Sequence, residues 1–592
     1  MRRAIVLLAP VLFAFVTPPV RTVAAQDAAR RPLRATDIYQ LREVRDPQLS
    51  PDGAWVAYTV TIADSARNRN DTDVWMSSWD GQTHLRLTSS PESESTPRWS
   101  PDGRWLAFLS GREDGKGSQV WLLDRRGGEA VRLTTLKSGI GYYAWSPDAK
   151  TLLLEMSDPD PDDAAGDSAK KKPKPIVIDS YRFKRDRAGY LDSTRTHLYL
   201  FDVATGRLDT LTRGRFDEES AKWSPDGLRI AFMSKREGDI ERNERWHVYV
   251  MDARAGATPS QVTTKPAGGS GGGFEWSPDG RSISYYRTTM PAYSIYDQTM
   301  LAVVDVGEGA DGSATQTRDI GTKIDRDIRS PRWLSDGRTL LALVEDDRRQ
   351  YVARVDAMTG EVERVTDGDR VVQSLSLGGE GRVATLVTTP VLPAEVFALE
   401  GGELRRISHQ NDAWLAGVQL GVTEGLEARA KDGSEVHAVV TKPAGLAAGA
   451  RAPALIRIHG GPTSQDAYAF HFERELFAAN GYVVASPNYR GSSGRGQAYM
   501  KAIDADWGNK EVVDVQAVAD ALVASGLADA GRMGIGGWSY GGITTNYTIA
   551  TTQRFKAAIS GAGSSLQTSM YGTDQYTLQY DTELGAPWKN RD

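Results

Sequence analysis

One four-residue phrase returns through the first two-thirds of this 592-residue chain. It stands as Ser50-Pro51-Asp52-Gly53, Ser100-Pro101-Asp102-Gly103, Ser146-Pro147-Asp148, Ser224-Pro225-Asp226-Gly227 and Ser277-Pro278-Asp279-Gly280, with a degenerate copy at Ser335-Asp336-Gly337 and a faint one near Gly378 to Arg382. The phrase spells a type I turn: proline presets φ at the second position, aspartate suits the third and glycine closes the fourth. A tryptophan stands just before it (Trp99, Trp145, Trp223, Trp276, Trp333) and an alternating run such as Trp105-Leu106-Ala107-Phe108 follows, so each copy reads as a β-hairpin. Further strand-like stretches, Val120 to Leu123 and Tyr249 to Met251 among them, lie between copies, commonly closed by a Leu-Thr pair such as Leu87-Thr88, Leu133-Thr134 or Leu211-Thr212. About four strands per period of roughly fifty residues is the arithmetic of a propeller blade. Counting copies predicts a seven-bladed β-propeller over residues 45–412, and the faint copies leave six or eight open.

Composition narrows the class. At 592 residues, with 40% hydrophobic and 25% charged residues, the chain is globular and too long for one ordinary domain. A net charge of -6 with no long basic stripe argues against a nucleic-acid or anionic-membrane partner. Residues 1–25 pair basic Arg2 and Arg3 with an apolar core from Ala4 to Val16 and small Ala24 and Ala25 before Gln26, the pattern of a secretory signal peptide. That apolar core is too short to span a bilayer and Pro18-Pro19 follows it, so no stable membrane insertion is expected and the location is exported, periplasmic or secreted. The absence of cysteine rules out disulfides and thiolate metal sites; no cofactor and no metal are expected. Residues 26–44 form an N-terminal segment. The stretch from Asp158 to Pro175 reads as a solvated insertion, and Gly268 to Gly273 as a flexible loop lacking the G-K-[ST] of a phosphate cradle.

Around residue 415 the rhythm changes to strand alternating with helix, the signature of an α/β sheet, and the second domain is set at 413–592. Strand-like runs are Leu426 to Ala430, Val436 to Thr441, Ala454 to Ile458, Tyr482 to Ser486, Arg532 to Gly536 and Phe555 to Ser560, while Lys510 to Ser525 carries a helical apolar stripe. Gly537-Trp538-Ser539-Tyr540-Gly541 follows a strand and precedes a helix-compatible run from Tyr540 to Thr551, which is the setting of a nucleophile elbow. A bare G-x-S-x-G proves little in a chain with 59 glycines. Upstream, however, His459-Gly460-Gly461-Pro462 follows the apolar run Ala454 to Ile458, and its glycine N–H groups can turn toward a developing oxyanion. His459 reads as an orienting residue, because in this fold the base follows the serine in chain order.

These motifs, with Asn488-Tyr489-Arg490-Gly491-Ser492-Ser493-Gly494 and Asp506-Trp507-Gly508, all behind a propeller, resemble the prolyl oligopeptidase family of serine peptidases, its acylaminoacyl-peptidase-like and bacterial dipeptidyl-peptidase-like members above all. The resemblance implies a propeller that admits only short peptides and an α/β-hydrolase domain that cleaves them. It places the nucleophile on Ser539 and the oxyanion donors on the N–H groups of Tyr540 and Gly461. Arg490 and Arg495 fit a structural role in their glycine-rich loop better than a substrate contact, and Glu241 and Glu244 fit a charged blade loop better than a clamp on a free amine. The family's triad Asp and His have no counterpart: no histidine follows Ser539, and neither Asp574 nor Asp581 follows an apolar strand. The hydrolase domain is thus expected to be incomplete, the chain to be the N-terminal part of a longer enzyme or the product of a broken gene, and its activity to be nearly nil. A secreted esterase of the same fold and a non-catalytic, peptide-binding propeller are the competing readings.

Overall fold

The computed structural model describes residues 30–112, 117–159, 175–268, 273–290, 292–307 and 314–590; the signal segment, most of the acidic insertion and the middle of the Gly268 to Gly273 loop lie outside the described residues. The repeated phrase builds one device each time. In its first copy, Ser50 N–H bonds to Trp55 O and Gly53 N–H to Ser50 O, each at 2.8 Å. The Ser50 hydroxyl donates to Asp52 (2.6 Å) and accepts the Trp55 N–H (3.0 Å). Gly53 takes φ +68°, which costs a glycine nothing. Ser100, Ser146, Ser224 and Ser277 repeat the serine–aspartate bond.

The Leu-Thr closures recur in the same way. The threonine hydroxyl accepts a main-chain N–H from the third strand of its own sheet, as Val74 to Thr88 (2.9 Å), Val120 to Thr134 (3.0 Å), Leu198 to Thr212 (2.9 Å), Val248 to Thr263 (3.0 Å) and Val352 to Thr366 (3.0 Å); Ser408 does so for Val396 (2.7 Å). The strands these devices join form five four-stranded antiparallel sheets, spanning 43–86, 94–132, 140–210, 218–261 and 274–319, and a nine-stranded sheet over 327–406. That last sheet is two antiparallel meanders bridged by Val371–Val372, where Val371 pairs with Gln350 on one side and Thr388 on the other.

The first strands of neighbouring sheets touch one another, so they face a common axis. An apolar seam fills each gap between successive sheets. The ring closes where Val44, Leu49 and Tyr58 pack on Ala384, Leu386 and Val396; Leu49 N–H to Ser376 Oγ (3.0 Å) and Arg382 Nη1 to Gly53 O (2.9 Å) stitch the joint. This is an N-terminal propeller.

The second domain is one six-stranded sheet. Its strands are β1 (Val422–Arg429), β2 (Glu435–Lys442), β3 (Ala452–Ile458), β4 (Val483–Asn488), β5 (Ala528–Trp538) and β6 (Ala557–Gly561), in the spatial order β1-β2-β4-β3-β5-β6. β2 runs antiparallel to its neighbours β1 and β4, and β4, β3, β5 and β6 are parallel. Helices α1 (Phe472–Ala479), α2 (Lys510–Ala524), α3 (Tyr540–Thr551) and α4 (Thr577–Glu583) accompany it. The stripe of α2, with Val515, Val518, Ala519 and Leu522, is buried against Ala428, Val436 and Ile456 of the sheet. β4 is buried along its whole length, whereas β6, at the edge, is exposed, with Ile559 at 71%.

The two domains interlock at a propeller hairpin. Asp347 and Arg348 both adopt positive φ at its tip. Asp347 N–H bonds to Gly494 O (2.8 Å) and its carboxylate to His437 Nδ1 (2.9 Å), while Arg348 N–H reaches Gln465 (2.7 Å).

Candidate active site

The site grows from the end of β5. Ile458 of β3 lies in register with Gly537 of β5, and Ser560 of β6 flanks Gly537 on the other side. β5 ends at Trp538, Ser539 turns the chain with φ +57° and ψ −123°, and α3 starts at Tyr540. Such a conformation is strained for a residue with a Cβ; it is held by Ser539 N–H to Gly561 O (2.9 Å) and by the Gly542 and Ile543 N–H groups on Ser539 O (2.8 and 3.0 Å). The flanking glycines answer a close approach. A Cβ on Gly537 would lie 2.5 Å from Ile458 O, and one on Gly541 would run into the same oxygen. The strand-to-helix turn can therefore sit this near β3 only with glycine at both positions.

The loop after β3 lies beside the elbow. A Cβ on Gly460 would be 3.2 Å from Ser539 Cβ and 3.8 Å from Ser539 Oγ, and Gly461, at φ +128°, carries the chain through a cis bond to Pro462. Tyr540 is the first residue of α3, where N–H groups have no intrahelical acceptor and the helix dipole is positive. The elbow thus brings Ser539 and the Tyr540 N–H together, with the glycine loop carrying Gly461 alongside.

A column of rings backs the two loops. His459 stacks on Tyr489 (4.6 Å between centroids), Tyr489 on Tyr540 (6.1 Å), and Trp507 meets Tyr540 edge-on (5.1 Å). His459 uses Nδ1 on Gly460 O (2.8 Å) and Nε2 on Ser492 Oγ (2.9 Å), and Tyr489 O–H bonds to its carbonyl (2.9 Å). Burial pushes its pKa below the usual imidazole value, so the neutral ring donates to the carbonyl and accepts from the hydroxyl. Tyr540 O–H donates to Glu511 (3.0 Å), which also accepts the Gly508 N–H (2.6 Å); burial raises the Glu511 pKa. Tyr489 stands in the Asn488 to Gly494 motif without a role of its own there, and the sequence carries no clear signal for Glu511, one of three carboxylates on the amphipathic helix α2.

The other residues weighed from the sequence lie in structural contacts. Arg490 grips Asp514 through Nε and Nη2 (3.0 and 2.7 Å) and Asp432 through Nη1 (2.6 Å), while Arg495 bonds to Glu435 O (2.6 Å). Glu241 accepts Tyr181 N–H (2.7 Å), and Glu244 pairs with Arg182 and Lys235 and takes the Trp246 indole N–H (3.0 Å). Asp581 accepts the Tyr181 hydroxyl (3.1 Å) and Asp574 the Tyr576 N–H (2.8 Å). The remaining histidines are committed elsewhere: His84 to Ser77, His197 to Glu218, His247 to Thr263, His409 to Asp412, His437 to Asp347 and His471 to Arg474 N–H.

A serine elbow on a mostly parallel sheet, with a glycine loop beside it and a propeller in front, defines the class of α/β-hydrolase serine enzymes with an N-terminal propeller. Residues 468–592 match the prolyl oligopeptidase family, and the chain carries a domain of that family. It is 28% identical over 549 residues to the peptidase YuxL of Bacillus subtilis, covering 91% of this chain and 83% of that one. Dipeptidyl-peptidase 5 of Porphyromonas gingivalis is 23% identical over 581 residues, with 93% and 82% covered. In fold the chain is similar to the acylaminoacyl peptidase of Pyrococcus horikoshii, with a TM-score of 0.78 at 22% identity over 93% of this chain and 83% of that one.

Proposed function

We propose that the protein is a serine-type peptidase that cleaves short peptides through an acyl-enzyme. Ser539 attacks the scissile carbonyl, and the N–H groups of Tyr540 and Gly461 hold the oxyanion, each such donor being worth about 3 kcal/mol. The observation that carries this reading is the approach of the Gly460-Gly461 loop to the Ser539 side chain across the strained elbow. The propeller acts as the size filter. In support of seven blades, five sheets and two bridged meanders share seven apolar seams around one axis. The domain limits at 45–412 and 413–592 and export with cleavage before Gln26 belong to the same proposal; the N-terminal residue of the secreted product tests the last.

The 592-residue chain by itself turns over slowly, because each of its seven histidine rings is bonded away from Ser539. Loss of a triad histidine costs about a million-fold in rate, or roughly 8 kcal/mol. An activated p-nitrophenyl ester is expected to acylate Ser539 slowly and to be released more slowly still, seen as one acyl group on the peptide that carries it, and Ser539→Ala removes the adduct. An adduct elsewhere overturns the nucleophile, and peptide turnover at an ordinary peptidase rate overturns the slow-turnover argument.

A further inference from the structure

The inner strands of the propeller carry a second chemistry. The residue before each motif tryptophan is Arg98, Ala144, Lys222, Glu275 or Arg332, from five different sheets. Four of the five are charged, on strands that face the axis. Arg98 Nη1 meets Asp46 of the first sheet at 2.8 Å, and Gln48 Nε2 donates to the same carboxylate (2.7 Å). Lys222 Nζ meets Glu275 at 2.5 Å and also donates to Phe274 O (2.7 Å), while Arg332 Nη1 approaches the same glutamate at 3.4 Å. These five side chains are 26–36% exposed, so solvent in the axial channel reaches them.

Among the paired side chains three cations face two carboxylates, one positive charge in excess, and the further carboxylate in this field, Glu155, is buried with its pKa pushed up to about 7, so it is only partly ionised at neutral pH. Burial lowers the Lys222 pKa, and Arg332 and Arg98 lower it further, so cations from the second, fourth and sixth strand sets share one field. Burial works to raise the Glu275 pKa, yet Lys222 and Arg332 hold it below the usual value; it stays ionised and is already shared. One layer along the strands Arg45 pairs with Glu43 (3.0 Å) and Arg329 with Glu345 (3.5 Å), and Glu219 adds a further carboxylate, so the positive excess is confined to the girdle. The strand starts lie on the hydrolase side, where Glu345 bonds to Ser493, which puts the charged girdle toward the opposite, turn-bearing mouth.

We propose that this girdle is a carboxylate-binding constriction of the axial channel, taking the C-terminal or side-chain carboxylate of a peptide between Arg98, Lys222 and Arg332. A low-dielectric wall lined by excess charge of one sign concentrates counter-ions. The identity of the ligand as a peptide rests on the peptidase reading, but the test below does not involve Ser539, so each can fail alone.

The chain has no cysteine, and Gly141, exposed on the inner strand of the third sheet, would place a Cβ with only Glu155 O near it, at 3.6 Å. Gly141→Cys is therefore a single reporter thiol beside Tyr142, which lies in the field of Arg98, Glu155, Glu275 and Arg332. Its rates with sulfonatoethyl and trimethylammonioethyl methanethiosulfonate are each divided by the rate with a free cysteine peptide, which cancels any change in thiol ionisation. The anionic reagent is expected to win by about tenfold at low salt, with the preference lost in 1 M salt and reduced by Arg332→Gln and by Arg98→Gln, whose folding circular dichroism checks. Equal rates, or a preference that survives in a folded variant, overturns the proposal. Protection of the thiol by pentaalanine but not its C-terminal amide identifies a terminal carboxylate, and protection by amidated pentaglutamate a side-chain one; protection by neither overturns carboxylate binding.

Discussion

The propeller and the hydrolase domain solve the same problem, a sharp turn at a strand end, in opposite ways. In the propeller a serine–aspartate turn is written out afresh in sheet after sheet, each copy satisfied by its own side chains and the first four backed by a threonine clamp in the same sheet. In the hydrolase domain the turn at Ser539 exists once, and neighbours hold it: Ile458 O under Gly537 and Gly541, Gly561 O on Ser539 N–H, and Glu511 on the Tyr540 hydroxyl. Repetition spreads risk over many weak local devices. A reactive site concentrates it in one turn that only long-range contacts can strain.

The harshest way to break the comparison is Gly541→Ala. Its Cβ meets main-chain oxygens of Ile458 and His459, which cannot rotate away, so the elbow must move. The expected cost is about 3 kcal/mol or more in urea unfolding, with acylation of Ser539 lost. An alanine variant of near wild-type stability that still acylates would show that the single turn is not held by close packing.

The hairpin Asp347-Arg348 is where the ring acquires a contact as singular as the elbow. Burial works to raise the Asp347 pKa, but His437 and Arg348 pull it down to about 2. A carboxylate depressed in the folded state stabilises fully above its unfolded value near 4 and loses that contribution as pH falls toward 2. Between pH 4.5 and 2.5 urea unfolding of the wild type is expected to lose about 1.5 kcal/mol more than that of Asp347→Asn; equal losses would separate this contact from domain docking. Glu155 gives the opposite sign inside the ring. It is buried, its pKa pushed up to about 7 by that burial, and it accepts the Ala221 N–H (2.6 Å). Here the folded pKa lies above the unfolded one, so stability falls as pH rises from about 4.5 through 7. Glu155→Gln, which keeps the acceptor, is expected to gain on the order of 1 kcal/mol at pH 8 and nothing at pH 4; no gain at pH 8 would refute the burial argument.

What could be read from the sequence follows the same division. The Ser-Pro-Asp-Gly turns and Leu-Thr closures are local, so their residues announce their geometry; Lys510 to Ser525 and the helix from Tyr540 to Thr551 are legible for the same reason, as α2 and α3 bear out. Glu511 and Tyr540 stand 29 positions apart, and no periodicity connects them. The Asp347 tip gave no signal either, because its partners His437 and Gly494 belong to the other domain. Strand ends slipped where main-chain pairing outruns the apolar pattern: β5 begins at Ala528, paired with Ala452, rather than at Arg532, and runs on to Trp538, paired with Gly561.

The mildest test uses the one strong copy of the phrase that lacks its glycine. Ala149 fills the fourth position after Ser146-Pro147-Asp148 and takes φ +60°, where the equivalent Gly53, Gly103, Gly227 and Gly280 sit at φ +67° to +72°. The turn is otherwise intact, with Ala149 N–H on Ser146 O (2.9 Å) and Ser146 Oγ on Asp148 (2.7 Å), so the side chain holds a conformation that disfavours it by about 1–2 kcal/mol. Glycine removes that strain but gives back about 0.4–1 kcal/mol through the greater freedom of the unfolded chain. Ala149→Gly is therefore expected to raise stability by roughly 0.5–1 kcal/mol, read as a higher urea midpoint at unchanged slope. The reverse change, Gly103→Ala, leaves only Pro51 side-chain atoms within 4 Å of the new Cβ, the nearest at 3.9 Å, and should cost a similar amount. If the two substitutions fail to move stability in opposite directions, the turns are not interchangeable, and the propeller copies are as individual as the elbow.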